Sequence, residues 1–460
     1  MSTIPAPATV SPFALTNIRR FLAFRVLFNA RFYYPVFTVL FLDFGLSLEQ
    51  FAFLNTVWAF TIVLAEVPSG ALADLMGRKR LLVATSFLML VEMALIAWAP
   101  AGSGSLVFWL FLGNRVISGL AEAMSSGTDE ALAYDTLVEH HMADKWPLVL
   151  DWQMRLQNLG FIFAMTLGGM AYDHDMLNRI FAFFALNVHI EQNLSMRLPI
   201  FLSLVFALFA LLTTLGMQEP GRSKPGTHSA TTNSKQGLAA LTGLTLRAGA
   251  WIVRTPYALA IILFAMSIDH ILRMLATLTS QYYRLIGLPE SAFGLIGSAI
   301  AVIGLVVPRL ARAMVARYSP GMNLLVLSLA MFVALVLLGK FIPYYGVLPM
   351  AASFIGMMMV SFFTSHYLNA ITSSTQRATV LSFKGMAFNV AYGCIGIGFA
   401  ALIRHERLLL TEQYPQAGEA FLANTAFKTT IGWFPWYLIL VLLAVCLLTL
   451  PRLRGKQQAW

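Results

Sequence analysis

The stretch Glu66-Val-Pro-Ser-Gly70-Ala-Leu-Ala-Asp74-Leu-Met-Gly77-Arg78-Lys79-Arg80 decides the fold of this chain, and it lies between two long apolar runs. An acidic residue comes near the end of the first run, a glycine follows, and a basic cluster starts the second run. Glycine adopts backbone conformations that strain other residues, so Gly77 predicts a tight reversal between two helices. The pattern therefore indicates two membrane helices joined by a short charged turn.

Composition places the chain in a lipid bilayer. Of its 460 residues, 58% are hydrophobic and 11% are charged, whereas soluble domains carry about 25% charged residues. Each crossing helix needs about 20 apolar residues, which leaves room for roughly a dozen spans and for no soluble catalytic domain. Cys394 and Cys446 both lie in apolar runs and indicate neither disulfides nor a metal site. The net charge of +10 comes from basic residues in short loops, so it indicates membrane topology rather than nucleic-acid binding.

Apolar runs predict an all-α membrane protein with twelve transmembrane helices in two six-helix bundles. The predicted spans are 21–43, 49–72, 81–99, 106–134, 153–172, 197–217, 257–283, 291–315, 322–340, 345–370, 378–403 and 429–450. The predicted domains are an N-terminal bundle at 1–217, a cytoplasmic central loop with an amphipathic helix at 218–256, and a C-terminal bundle at 257–460. The apolar stretch 178–190 is too short to cross and is predicted to lie at the membrane interface. The distribution of Lys and Arg favours cytoplasmic termini, and we expect a bacterial-type cytoplasmic (inner) membrane.

The charged turn resembles the signature loop of the major facilitator superfamily in position, residue types and spacing, over Gly70 to Arg80. The span count and the central loop extend the likeness over nearly the whole chain. In span four, Asn114-Arg115-Val-Ile-Ser-Gly119-Leu-Ala-Glu122-Ala resembles the family's Arg-centred motif, whose arginine is associated with binding or proton coupling. In span five, the stretch Gly160 to Gly169 keeps the glycine frame associated with antiporters, but it has Ala-Met in place of the Gly-Pro pair. The resemblance implies a secondary transporter that works by alternating access.

The signature loop also predicts a gate on the cytoplasmic side. Gly70 removes a side chain where two helices must slide closely. The carboxylate of Asp74 is expected to meet the positive N-terminal end of span eleven, and Arg78 to pair with Asp129 or Asp135 at the end of span four. Such contacts would lock an outward-facing state, while the alternative is that these charges only determine topology. The predicted gating residues are Gly70, Asp74, Gly77, Arg78, Asp129 and Asp135.

Charges inside the spans predict the solute and proton site, because a charge at mid-helix costs about 2.5–3.5 kcal/mol on insertion scales. Arg115 and Glu122 are two helical turns apart and face one cavity. Protonation of Glu122 would release Arg115 to bind an anionic group, and the alternative is a permanent ion pair. Asp269 and Arg273 have the i, i+4 spacing that favours pairing. The candidate binding residues are Arg25, Asn29, Arg31, Arg115, Glu122, Asp269 and Arg273.

The remaining intramembrane residues divide between this site and other roles. Arg25 and Asn29 are one turn apart and share a face of span one, whereas Arg31 points elsewhere. Snorkelling to the cytoplasmic surface is the alternative for Arg25. Glu66 and Glu92 are interpreted as gating or packing residues rather than binding residues.

Basic residues outnumber the central acids in these spans, which favours a small anionic or zwitterionic organic solute coupled to protons. Efflux of amphiphilic drugs by proton antiport is the alternative, and a lipid flippase or a membrane sensor that does not transport remains open. The sequence has no phosphate-binding loop and no metal-spaced His or Cys cluster, so we expect no enzyme activity, cofactor or metal. The expected partners are the solute, protons and the lipid bilayer, with no nucleic acid, and the expected state is a monomer.

Overall fold

Helices joined by short turns form most of the computed structural model, which describes residues 11–102, 104–220, 249–372 and 377–454 without the side chains of 67, 71, 74, 377–379 and 454. The first half contains α1 Thr16–Asn29, α2 Phe37–Asp43, α3 Leu48–Met76, α4 Arg78–Ala97, α5 Ser105–Ser125, α6 Thr128–Glu139, α7 Trp146–Tyr172, α8 His174–Phe183, α9 Gln192–Ser195 and α10 Leu198–Gly216. The second half contains α11 Pro256–Leu285, α12 Glu290–Gly304, α13 Val307–Arg317, α14 Pro320–Leu338, α15 Val347–Ile371, α16 Arg377–Gln413, α17 Glu419–Gly432 and α18 Phe434–Arg454. Short 3-10 turns occur at Pro12–Ala14, Tyr34–Val36 and Ala143–Lys145.

Membrane-length helices confirm the predicted all-α class. Within the described part of the chain, nine helical stretches are long and apolar enough to cross a bilayer, and the pair α12 and α13, bent by 41°, makes a tenth. Helices also occupy the positions of predicted spans one and five, as α1 with α2 and as α7. Most of the predicted amphipathic helix of the central loop lies outside the described residues.

The first predicted span is broken, although the sequence predicts one helix over 21–43. α1 ends at Asn29 and α2 begins at Phe37, with Pro35 in the 3-10 turn between them. Proline has no N–H to donate and its ring clashes with the carbonyl of residue i−4, so the helix stops before it. Side chains of other helices satisfy the freed amides: Ser203 Oγ accepts from the Phe32 N–H at 3.1 Å, and Ser280 Oγ accepts from the Thr38 N–H at 2.9 Å. The break therefore places Arg31 at a helix end in the interior of the protein.

The charged turn defines one face of the molecule. A capping box of Ser47 and Gln50 starts α3, which ends at Met76. Gly77 then has φ +91° and ψ 147°, a conformation that only glycine adopts without strain, and α4 begins at Arg78. The face that carries Gly77 is called the loop face below, and the face where α2 ends at Asp43 is called the opposite face.

The two halves pack against each other toward the opposite face. A large apolar core contains residues of both halves, including Tyr33 and Phe41 from the first and Tyr282 and Phe293 from the second. Three smaller cores contain only residues of the first half, and two of them are drawn largely from the ends of its helices near the loop face. The described structure is therefore closed on the opposite face.

Glycines bring the helix backbones together at this closure. On α12, a Cβ at Gly294 would lie 1.9 Å from the Met165 carbonyl oxygen of α7, so the two backbones are in direct contact there. Thr166 and Ser298 share a hydrogen bond of 2.9 Å across the same crossing. Small residues at a crossing allow membrane helices to approach this closely.

The predicted interfacial stretch 178–190 begins inside a short helix. Asp173 caps α8, because its Oδ1 accepts from the Met176 N–H at 2.9 Å. Residues 184–191 follow as turn and loop, and the Phe183 side chain is 84% exposed. The stretch therefore does not cross the molecule, and its place at a membrane interface stays a prediction.

Candidate functional site

A cavity of about 430 Å³ lies between the two halves, in the middle of the molecule. Four of the seven predicted binding residues line it, namely Arg31, Arg115, Glu122 and Arg273. The polar lining continues with Asn55, Ser118, Thr277, Thr279 and Ser280. The rest is largely aromatic or methionine: Tyr33, Tyr34, Phe37, Trp58, Phe161, Met165, Tyr283, Phe293, Phe354, Met357, Met358 and Tyr392. The space suits a small organic molecule that carries a charged group.

Arg115 has no carboxylate partner among the described residues. Both its Nε and its Nη2 donate to Asn114 Oδ1, at 3.0 and 2.9 Å, and its guanidinium lies over the rings of Phe37 and Phe41 at 5.3 and 5.5 Å. Glu122 is exposed to the cavity, but the expected ion pair between Glu122 and Arg115 is not formed in this structure. Protonation of Glu122 is therefore not what frees Arg115 here.

Arg31 pairs with a carboxylate that sequence reasoning assigned to gating or packing. Its Nη1 donates to Glu92 Oε1, and its Nε donates to the Phe28 carbonyl at 3.0 Å. Arg31 is 4% exposed and Glu92 is 0% exposed. No local spacing could have found this pair, because the two residues are 61 positions apart and Arg31 lies in the turn after α1, whereas Glu92 lies on α4.

Arg273 pairs within its own helix, as the i, i+4 spacing predicted. Its Nη2 lies 2.8 Å from Asp269 Oδ2, and its Nη1 donates to Asn389 Oδ1 at 2.9 Å. The guanidinium lies 5.8 Å from the ring centre of Tyr392. Arg273 lines the cavity, whereas Asp269 is not among the lining residues.

Arg25 and Asn29 lie outside the cavity lining. Arg25 forms ion pairs with Asp129, at 3.1 Å, and with Glu130, both in the first turn of α6. Asn29 donates to the Arg25 carbonyl of its own helix at 2.8 Å. These residues join α1 to α6 on the loop-face side of the first half, and Glu130 is a partner that the sequence analysis missed.

The signature loop is bonded within the first half. Arg78 pairs with Asp135 and donates to the Ala131 carbonyl at 3.0 Å, so of the two expected partners Asp135 is found, while Asp129 binds Arg25 instead. Glu219, which sequence reasoning did not single out, caps α4: its carboxylate accepts from the N–H groups of Arg78 and Lys79 at 2.9 and 2.8 Å. A carboxylate is favourable there because the N-terminus of a helix is positive.

Two gating predictions have a different outcome. A Cβ at Gly70 would meet nothing within 4 Å, so the close helix contact expected there is absent from this state of the described residues. The Asp74 side chain lies outside the described part of the structure, and its contact with span eleven stays a prediction.

Ion pairs on the opposite face join the halves, and the sequence analysis missed them. Arg284 at the end of α11 donates to both carboxylate oxygens of Asp43, at 2.7 Å each. Tyr172 and Gln192 also donate to Asp43, at 2.5 and 3.1 Å, and Arg284 Nε donates to Glu290 at 3.1 Å. In the sequence, Asp43, Arg284 and Glu290 have the pattern of ordinary charges at span ends. Together they form a latch, named here the Asp43–Arg284 latch.

Asp173 supports the same closure. Its Oδ2 accepts from the Ser291 N–H of the second half at 3.1 Å, and its Oδ1 caps α8 through Met176. Burial alone would raise the pKa of Asp173, but the hydrogen bonds from Ser291 and Met176 outweigh it and hold the pKa below the ordinary value. The ionised carboxylate is thus the form that joins the halves.

Comparison with known proteins gives this geometry a family. A family model described as Major Facilitator Superfamily matches residues 21–401. A bacterial homolog to the human lysosomal transporter Spinster, inward-facing and unoccupied, is 14% identical with a TM-score of 0.71 and covers 98% of this chain and 100% of its own. The nucleoside transporter NupG is 14% identical with a TM-score of 0.68 and covers 95% and 98%. A D-xylose-proton symporter is 13% identical with a TM-score of 0.61 and covers 92% and 97%.

At these identities the structural likeness shows the fold alone. No curated protein matches the chain in sequence. The family model nevertheless spans most of the chain, and it confirms both the predicted family and the predicted fold of two helical bundles. The chain belongs to the Major Facilitator Superfamily, a family of multi-pass membrane transporters rather than enzymes.

Proposed function

We propose that this protein moves a small organic solute with an anionic group across the membrane by alternating access, coupled to protons. The central cavity lies between two halves that are latched on one face. In this family of folds, rocking of the halves about such a site opens it to one side at a time. The solute would carry an apolar or aromatic body, because aromatic and methionine side chains form most of the lining.

Arg115 is the observation that supports the anionic group. Arg31 and Arg273 each have a carboxylate partner, so their charges are already balanced. Arg115 is 4% exposed and lines the cavity, and its partners among the described residues are an amide oxygen and two aromatic rings. A buried charge is stable only when it is compensated, and a carboxylate in the cavity would supply that compensation.

We further propose that both termini are cytoplasmic, in a bacterial-type inner membrane, and that the monomer is the transport unit. The loop face is then cytoplasmic, and a latched opposite face corresponds to a state closed toward the outside. The two bundles at 1–217 and 257–460 would be the moving bodies, with 218–256 as the loop between them.

A thermal-shift experiment on purified protein tests the solute class. The probes are benzoate as an anion, phenylalanine as a zwitterion, benzamide as a neutral analogue and tetraphenylphosphonium as a cation. Benzoate or phenylalanine should raise the unfolding temperature of the wild type and not that of Arg115→Met, while benzamide should have no effect. Arg197→Met is the matched control, because Arg197 also lies over a phenylalanine ring, at 5.0 Å from the centre of Phe44, but does not line the cavity.

Uptake of the stabilising probe into proteoliposomes tests coupling. An imposed pH gradient should drive accumulation, and a protonophore should abolish it. Glu122→Gln and Asp269→Asn test the two carboxylates that the sequence nominated. Uptake that ignores the gradient in the wild type would remove proton coupling from the proposal.

Efflux of amphiphilic cations by proton antiport is the second candidate, favoured by the aromatic and methionine lining and by the exposed Glu122 carboxylate. It predicts that tetraphenylphosphonium, and not benzoate, stabilises the protein and that Glu122→Gln removes this effect. A lipid flippase would instead move fluorescent phospholipids between leaflets of the same vesicles.

A further inference from the structure

The buried ion pair of Arg31 and Glu92 leaves one carboxylate oxygen of Glu92 without a hydrogen bond in the described structure. Glu92 Oε1 accepts from Arg31, but Glu92 Oε2 has no hydrogen-bond partner among the described residues, although the side chain is 0% exposed. A fully buried carboxylate is costly unless its charge is paired and its oxygens are bonded. The ionised state of Glu92 therefore depends on one guanidinium.

That guanidinium is also accessible to a solute. Arg31 lines the central cavity, whereas Glu92 is not a lining residue and lies behind it. The Arg31 Nε donates to the Phe28 carbonyl at 3.0 Å, which holds the arginine near the end of α1. Its two terminal nitrogens can then bind either Glu92 or a solute. A carboxylate has two oxygens, so a solute that binds Arg115 through one of them would compete with Glu92 for Arg31 through the other.

Other groups around Glu92 do not replace this cation. Asn114 on α5 donates at 2.8 Å to the Glu92 backbone carbonyl, not to its carboxylate, and Arg115 is engaged with Asn114 Oδ1. Glu122 acts on Glu92 with a like charge, and Tyr33 and Tyr34 are the other titratable groups close to Arg31. If the guanidinium turns toward a solute, the neutral acid is the stable form of Glu92.

We propose that Glu92 carries the transported proton and that an anionic solute causes its protonation by taking Arg31 as its own partner. On binding, Arg31 exchanges the Glu92 carboxylate for the solute carboxylate. A hydronium ion that reaches Glu92 from the cavity as Arg31 moves away then breaks an O–H bond, gives its proton to a Glu92 oxygen and becomes water. On release, Glu92 returns to Arg31 and gives the proton to water on the other side. One anion and one proton then move together as symport. This inference rests on the proposed function and adds its coupling group.

Linkage between binding and pH tests the proposal directly. The probe is benzoate, and binding is followed by tryptophan fluorescence, since Trp58 lines the cavity. If one proton is taken up with each anion, the benzoate dissociation constant of the wild type should rise about tenfold per pH unit in the range where the proton is acquired. In Glu92→Gln, which keeps a neutral side chain of the same size, the constant should not depend on pH.

Transport separates Glu92 from the other carboxylates. Glu92→Gln should keep benzoate exchange across vesicles with benzoate on both sides and should lose acceleration by a pH gradient. Glu66→Gln is the matched control, a carboxylate on the neighbouring helix α3 that does not line the cavity, and it should keep the gradient response. A gradient response that survives Glu92→Gln and is lost in Glu122→Gln would overturn the proposal and assign the proton to Glu122.

A ligand-free measurement checks the premise even if benzoate is not the solute. Arg31→Met removes the guanidinium that pairs with Glu92 in the described part of the chain, so infrared spectra at neutral pH should gain the band of one protonated carboxylic acid. The band should be missing in the wild type and in the Arg31→Met/Glu92→Gln double variant. If Arg31→Met shows no such band, the proposal fails. If the wild type neither binds anions nor responds to a pH gradient, the proposed function fails instead.

Discussion

Alanine at Gly294 should prevent the two halves from closing on the opposite face. Its Cβ would lie 1.9 Å from the Met165 carbonyl oxygen and 2.7 Å from the carbonyl carbon, both in the other half. Ordinary contact starts at 3.4 Å, so the helices α7 and α12 would have to separate by about 1.5 Å at this point. A backbone carbonyl inside a helix cannot turn aside, so the crossing itself must open.

The expected size follows from the cost of overpacking, typically about 1–3 kcal/mol. Gly294 contacts the other half only when the opposite face is closed, so this cost falls on the closed state and not on the fold of either half. A bias of 1–3 kcal/mol changes an equilibrium by about 5- to 150-fold. Gly294→Ala should therefore favour a state open on the opposite face by a factor in this range.

Labelling of a single cysteine measures the shift. Cys394 and Cys446 are replaced by serine, and Ala276, which lines the cavity, is replaced by cysteine. A membrane-impermeant maleimide added on the opposite face should react slowly in this background. With Gly294→Ala, the labelling rate should rise by the factor given above.

Gly297→Ala is the control on the same helix. A Cβ at Gly297 would overlap the terminal methyl of the Met165 side chain, at 2.3 Å, and this flexible group can move away. Its effect on labelling should be small. The reasoning is refuted if Gly294→Ala keeps its thermal stability and labels like its parent, or if both alanines raise labelling equally.

Three further changes test other contacts. Arg284→Met removes the cation of the Asp43–Arg284 latch, so the same labelling should reveal a bias on the order of 2 kcal/mol. Adding Asp43→Asn should reduce this effect, and an additive increase would contradict the latch. Gly77→Ala should lower the free energy of unfolding by about 1–3 kcal/mol in thermal unfolding, because φ +91° strains a side chain. Gly70→Ala, with open space around its Cβ, should not lower it, and equal losses at both glycines would count against the strain. Because the pKa of Asp173 is below its ordinary value of about 3.9, its stabilisation of the closed face is complete above that pH and is lost as the pH falls through the lowered value. A thiol reacts with maleimide as the thiolate and therefore more slowly at low pH, so each labelling rate is divided by that of Asp173→Ala at the same pH. This ratio should rise only in that acidic window. If this labelling ratio of the protein that keeps Asp173 rises at neutral pH, the assignment of the acid dependence to Asp173 is contradicted.

Much of the fold followed from local sequence features. The sequence has apolar runs that are long enough to cross a bilayer, and it has the turn at Gly77. These features predicted the spans, and the structure has a helix at the position of each predicted span. The break in the first span was missed, although Pro35 was the available signal, because hydropathy averages over a window and a proline changes it little.

The site was predicted only in part. The spacing of residues along a helix shows which of them share a face, but it does not show which residue of another helix they contact. Spacing along one helix predicted the pair Asp269 and Arg273. The same logic suggested Arg115 with Glu122, yet that ion pair is not formed, and Arg115 binds Asn114 and aromatic rings instead.

By itself the sequence determined the class of protein, the positions of the helices and the family, because these depend on hydropathy and on a turn with a fixed glycine. Only the tertiary structure decided which charge meets which. Glu92 lies against Arg31 across 61 positions, and Asp43 against Arg284 across 241. Such pairs depend on how helices cross and rotate against one another. The packing of all the helices determines this geometry, and the periodicity of residues along the chain does not indicate it.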